Sequence, residues 1–187
     1  QARILGAEAL IRWQHPERGL LPPAEFLPLI EEDDLGIALG EWVLAEALQQ
    51  WHQWHRQGLK IQVSVNIARR HLQSAYFLSR LRTLLCQYEI LPEMLELEVL
   101  ETATIKDIEQ VFQVITECRQ LGIHIALDDF GAGYSSLSYF RRLPIHTLKI
   151  DQSLVRNMLA NEEDIAIVKS VIELAHAFRR TVVAEGV

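Results

Sequence analysis

Strand-like and helix-like segments alternate along nearly the whole chain, and this alternation constrains the fold more than any other feature. Residues 4–13, 61–65, 95–100, 123–128, 145–150 and 181–184 read as six apolar, β-branched strands. Between most of them lie helical patterns. Residues 22–26 open a helix, with proline tolerated in its first turn. A longer helix sets Trp42, Ala45, Leu48, Trp51 and His55 on one face and stops at Gly58. Residues 76–88 form another. Val111, Phe112, Ile115 and Cys118 follow Ile108 as the stripe of a helix closed by Gly122, and Ile165, Val168, Val171, Ile172, Ala175 and Phe178 mark the last. Repeated strand–helix units imply a largely parallel sheet, either open and doubly wound or closed as a barrel.

Two observations favour the barrel. Neither GxGxxG nor GxxxxGK[ST] follows the first strand, which removes the commonest nucleotide-binding signatures of open sheets. Polar residues instead recur at the strand ends, as they do where a barrel assembles its chemistry from several strands. The predicted fold class is therefore α/β, a modified (β/α)8 barrel of the TIM type. Six strands fall short of the eight such a barrel uses, so about two are expected beyond the termini. Residues 1–187 are read as one domain, truncated at both ends.

A net charge of -7 argues against a bulk electrostatic grip on duplex nucleic acid, though not against a small phosphorylated ligand. No apolar run reaches the roughly 18 residues of a membrane span, and no signal-peptide layout opens the chain. Cys86 and Cys118 have no CxxC partner, so buried free thiols and a reducing, cytoplasmic setting are expected. Other segments of the full-length protein could still anchor it to a membrane.

The chemistry concentrates where the strand at 123–128 meets Asp128-Asp129-Phe130-Gly131-Ala132-Gly133. Adjacent residues of a regular strand point to opposite faces. Both carboxylates reach one site only if the strand ends there and the backbone turns, which Gly131 and Gly133 permit. Two close carboxylates repel unless a cation or proton neutralises them. A divalent metal is the simplest reading.

The remaining strands carry matching groups: Glu8, Asn66, Glu98 followed by Glu101, Lys149 and Glu185. Each alone would read as a solvated acid, a turn residue or a surface lysine. Their recurrence at successive strand ends changes that. Carboxylates and an amide oxygen are hard ligands suited to Mg2+ or Mn2+, and no His/Cys set for zinc accompanies them. Acids and a lysine converging on a barrel mouth suit metal-assisted phosphodiester hydrolysis.

The motifs Glu8-Ala9-Leu10 with Arg12-Trp13, Asn66, Glu98 with Glu101, 128–137, Leu148-Lys149-Ile150-Asp151 and Glu185-Gly186-Val187 together resemble the EAL domain of bacterial cyclic-di-GMP phosphodiesterases. The resemblance implies hydrolysis of cyclic di-GMP to linear pGpG by a two-metal site using Mg2+ or Mn2+, with inhibition by Ca2+. It implies a homodimer, commonly fused to a sensor or GGDEF domain. Glu8, Asn66, Glu98 and Asp128 resemble the ligands of one metal. Asp128, Asp129 and Glu185 resemble those of the other, with Asp128 shared. Lys149 resembles the lysine that contacts the attacking water, and Glu185 and Glu101 join it among the catalytic set. Glu101 resembles the glutamate that anchors the segment 128–136. Glu8, Leu10, Arg12 and Asp129 resemble the substrate contacts, with Arg12 on a phosphate. Leu100 stands where the family often has Thr. A later family Glu and a guanine-contacting Gln fall past Val187. The alternative is a catalytically silent cyclic-di-GMP receptor or regulatory module, but such receptors usually show lost carboxylates or a degraded loop, and this chain shows neither.

Other conspicuous residues carry bland readings. Trp51-His52-Gln53-Trp54-His55-Arg56 is expected to be a helix end with core tryptophans, rather than a metal or base-stacking site. Arg69-Arg70, Arg141-Arg142 and Arg179-Arg180 read as solvated pairs, and Glu31-Glu32-Asp33-Asp34 as a charged helix end.

Overall fold

The computed structural model describes residues 3–101, 108–131, 137–158 and 161–187. They form two compact units, Gln1–Leu97 with Leu121–Ile123, and Glu98–Gln120 with His124–Val187.

In the first unit, β1 (Gly6–Ala9) pairs in parallel with β4 (Gln62–Asn66), placing Glu8 opposite Ser64. Between them β2 (Trp13–His15) and β3 (Gly19–Leu21) make an antiparallel hairpin, followed by single 3-10 turns at Pro23–Glu25 and Leu27–Leu29. α1 (Asp34–Arg56) starts at Asp33, whose side chain accepts the Asp34 amide hydrogen, and ends before Gly58, which has φ +88°. Its buried stripe is Leu44, Ala47, Leu48 and Trp51, and a buried leucine side chain contributes roughly 2 kcal/mol. The Trp51 indole donates to Ile61 O at 2.8 Å and fixes the approach to β4. α2 (Arg69–Leu72) and α3 (Phe77–Gln87) complete the unit before β5 (Leu95–Leu100), whose Leu97–Glu98 link leads into the second unit.

There α4 (Ile108–Gln120) precedes β6 (His124–Phe130), α5 (Leu137–Arg142) precedes β7 (Thr147–Ile150), and α6 (Gln152–Asn157) and α7 (Glu162–Ala177) precede β8 (Thr181–Ala184). β6, β7 and β8 are parallel, with Leu127 opposite Leu148 and Leu148 opposite Val182. Every residue of β7 is buried, as expected for a parallel strand with both faces covered. Ile115, Ile125, Leu127 and Leu148 are among the residues that form the core here. No helix among the described residues is long and apolar enough to cross a membrane.

The expected strand at 4–13 is two strands. β1 stops at Ala9, and Trp13 begins the hairpin because His15 Nδ1 accepts the amide hydrogens of Glu17 and Arg18 while Gly19 takes φ +74°. The helix expected at 22–26 is only a 3-10 turn. Trp42 lies off the α1 stripe and is exposed, as is Cys86, whereas Cys118 is buried as expected. Arg180 is no solvated partner of Arg179. It is buried, donates to Leu143 O at 2.8 Å and sits 4.0 Å over the Phe140 ring. The 51–56 segment is structural: His55 stacks on Trp51, and His52 Nδ1 donates to Tyr88 O.

Candidate active site

Lys149 projects from β7 into a group of carboxylates in the second unit. Its Nζ lies 2.7 Å from Glu98 Oε2, 2.7 Å from Glu185 Oε1 and 3.2 Å from Asp128 Oδ1. Glu98 comes from β5, Asp128 from β6, and Glu185 follows β8. Glu98, Asp128 and Lys149 are buried, so each charge would be costly alone and persists because it is paired. Burial by itself lowers the Lys149 pKa. The hydrogen bonds to Glu185 and Glu98, with the charges of Glu98 and Asp128, outweigh that and hold it well above the ordinary lysine value.

One ammonium faces three carboxylates, so the four groups carry a formal charge of 1 - 3 = -2 when all are ionised. Asp129 adds to the excess. Its pKa is raised, first by burial, then by the charges of Asp128 and Asp151 and a hydrogen bond with Asp151, while Lys149 opposes the shift. Asp128, Asp129 and Glu185 each offer an oxygen, all within 4.8 Å of one another. The donor set fits a hard divalent cation, which would offset the negative charge gathered here.

The backbone reason for this convergence differs from the expected one. β6 does not end at Asp128 but continues to Phe130. Asp129 itself adopts φ +54°, and the ladder with β7 shifts register between Leu127 and Phe130. A local irregularity inside the strand breaks the alternation that would otherwise send neighbouring side chains to opposite faces. Gly131 follows at φ +101°, while 132–136, including Gly133, lie outside the described residues.

Glu101 holds a backbone amide. Buried just after β5, it accepts the Gly131 amide hydrogen at Oε2, 3.1 Å away. Leu100 is exposed. Asp151 has a place that its motif alone did not reveal. Besides bonding to Asp129, it caps α6 through Ser153 N at 2.9 Å. The Asp-x-Ser spacing at the start of a helix was the available signal.

In the first unit, Asn66 Nδ2 donates to Glu8 Oε1 at 2.8 Å, bringing that predicted pair together. Both follow from the β1–β4 register, which sets Glu8 opposite the residue two before Asn66. Leu10 and Arg12 are exposed and border a groove of about 350 Å³ with Trp42 and Gln50. The Arg12 guanidinium donates to Ile11 O at 2.7 Å.

Residues 1–187 match the EAL domain, and the chain belongs to that family. It is 39% identical over 185 residues to cyclic di-GMP phosphodiesterase PA2567 of Pseudomonas aeruginosa, covering 99% of this chain and 32% of that protein. It is 37% identical over 189 residues to cyclic di-GMP phosphodiesterase PdeR of Escherichia coli, covering 100% of this chain and 28% of that protein. The solved PaMucR phosphodiesterase in complex with c-di-GMP superimposes with a TM-score of 0.94 at 36% identity, over 99% of this chain and 75% of that one. The fold is thus the TIM-like barrel class of EAL domains. The chain spans about a third or less of the length of these two curated relatives.

Proposed function

We propose that this chain is the catalytic domain of a metal-dependent phosphodiesterase that opens cyclic di-GMP to linear pGpG and so lowers the level of that second messenger. The carrying observation is the set of Asp128, Asp129 and Glu185 oxygens within 4.8 Å of one another, beside an ammonium that offsets only part of their charge. Relatives named as cyclic di-GMP phosphodiesterases support the substrate.

Asp128, Asp129 and Glu185 would hold one Mg2+ or Mn2+, and Glu98 with Asp128 would contribute to a second. The bonded pair Glu8 and Asn66 is assigned as further ligands on the strength of its motif. A bound ion supplies Lewis acidity toward the phosphate and lowers the pKa of an attacking water. Lys149 brings a positive charge among these carboxylates. It orients water or stabilises developing negative charge by donating hydrogen bonds. Arg12 grips a phosphate, for which a guanidinium fork is suited, and Leu10 packs on the ligand beside it. Glu101 keeps Gly131, and through it Asp129, in place.

The full protein is proposed to act as a homodimer. A fused sensor or GGDEF domain is in keeping with the bifunctional diguanylate cyclase/cyclic di-GMP phosphodiesterase MucR, 37% identical over 185 residues. Incubation of the full chain with cyclic di-GMP and Mn2+, followed by chromatography, should yield pGpG. Binding without turnover would instead favour a receptor.

A further inference from the structure

The junction of β7 and α6 touches two of the carboxylate-bearing segments of the second unit. On one side the Asp151 amide donates to Phe130 O at 3.3 Å, and Leu154 Cδ1 lies 2.6 Å from where a Cβ on Gly131 would stand. On the other side the Glu185 amide donates to Ile150 O at 3.3 Å, and Gln152 Cβ lies 2.8 Å from the corresponding point on Gly186. Gly131 and Gly186 have φ +101° and +69°, so each is a glycine for two reasons: its backbone angle and the neighbouring side chain that fills its Cβ space. These glycines directly follow the segments bearing Asp128-Asp129 and Glu185. A single element therefore braces two of the strand ends from which the cluster is built.

We propose that Leu154 is a positioning residue for the metal site: seated against Gly131, it holds the Asp128-Asp129 arm at the spacing that captures a divalent ion. Gln152, seated against Gly186, does the same for Glu185. The inference rests on the metal-binding part of the proposed function. A ligand set that drifts by an ångström loses affinity before the fold is lost, and removing groups that support metal ligands commonly costs about 10- to 100-fold in affinity.

The test is Mn2+ binding to the full chain without substrate, read from the loss of the free-ion electron paramagnetic resonance signal, with circular dichroism as the control for folding. Leu154→Ala should raise the Mn2+ concentration for half-saturation about tenfold or more with helix content unchanged. Leu154→Met, which refills the space, should return it to within about twofold of the parent chain. If Leu154→Ala fails to fold, Leu154→Val takes its place and should show an intermediate weakening. Parent-like Mn2+ binding by the folded Ala or Val variant would overturn the proposal. So would equal weakening in the Met variant. A parent chain that binds Mn2+ but does not cleave cyclic di-GMP defeats the phosphodiesterase reading and leaves the role of Leu154 decided by the same titrations. A parent chain that binds no Mn2+ defeats both.

Discussion

Lys149 Nζ stands 2.7 Å from Glu98 Oε2, with both side chains nearly sealed from solvent. The pair ties β7 to β5 at the centre of the acidic cluster. It shows that the cluster accommodates a cation, and that one ammonium leaves charge to spare.

Replacing Lys149 with Met should therefore be costly in two ways. Without metal, Glu98 and Asp128 lose their buried partner, and stability in urea should drop by about 3 kcal/mol. Saturating Mn2+ should restore part of that loss, since a cation would again neutralise the acids. Turnover should fall about 100-fold or more even with metal present, because the hydrogen-bond donor is gone. A variant as stable and as active as the parent would contradict the assignment.

The Glu101 carboxylate accepts a hydrogen bond from the Gly131 amide. Gln preserves an acceptor and Ala does not. Glu101→Ala should lower kcat severely and cost about 1–3 kcal/mol in stability, whereas Glu101→Gln should retain more of both. Steady-state kinetics on the two variants decides it. Equal losses would mean that charge, not the hydrogen bond, is what matters.

His146 supplies a pH dependence remote from the chemistry. Burial first, then the charges of His124 and Arg119, depress its pKa from 6.5 to about 4. Its Nδ1 accepts the Ile125 amide hydrogen, which the protonated ring could not do. The folded state thus binds the proton less readily than the unfolded state. Stability from this group is complete above 6.5 and is lost as pH falls from 6.5 toward 4. Unfolding free energies measured across that window should decline with acidification, and less steeply in His146→Gln. Identical slopes would remove His146 from the explanation.

Calcium provides a further check. Its larger, looser coordination suits a site built for Mg2+ poorly. Added to a Mn2+-supported reaction, Ca2+ should suppress pGpG formation, and excess Mn2+ should reverse the effect. Turnover with Ca2+ alone would argue against the proposed ligand geometry.

Much of the fold was legible because short apolar-rich segments alternate with helices that keep a clear stripe. The strand at 95–100 appears with its predicted bounds, as does 181–184. The β2–β3 hairpin was missed because its turn depends on a side-chain acceptor, His15 Nδ1, rather than on glycine pairs. Trp42 was misplaced because an exposed aromatic can share a helical spacing with buried ones. At the site, residue types announced the acidic cluster. The means of convergence did not show, because nothing in an Asp-Asp pair says that the second aspartate will take a left-handed backbone angle. Arg180 likewise looked like a surface charge until its guanidinium was seen over Phe140.

The most direct test of the metal-dependent phosphodiesterase is chromatographic analysis of cyclic di-GMP incubated with the full chain, alone, with Mn2+, and with Mn2+ and Glu8→Ala. The account predicts pGpG only from the parent chain with metal. Intact cyclic di-GMP in that sample, or pGpG formed equally by Glu8→Ala, would contradict it.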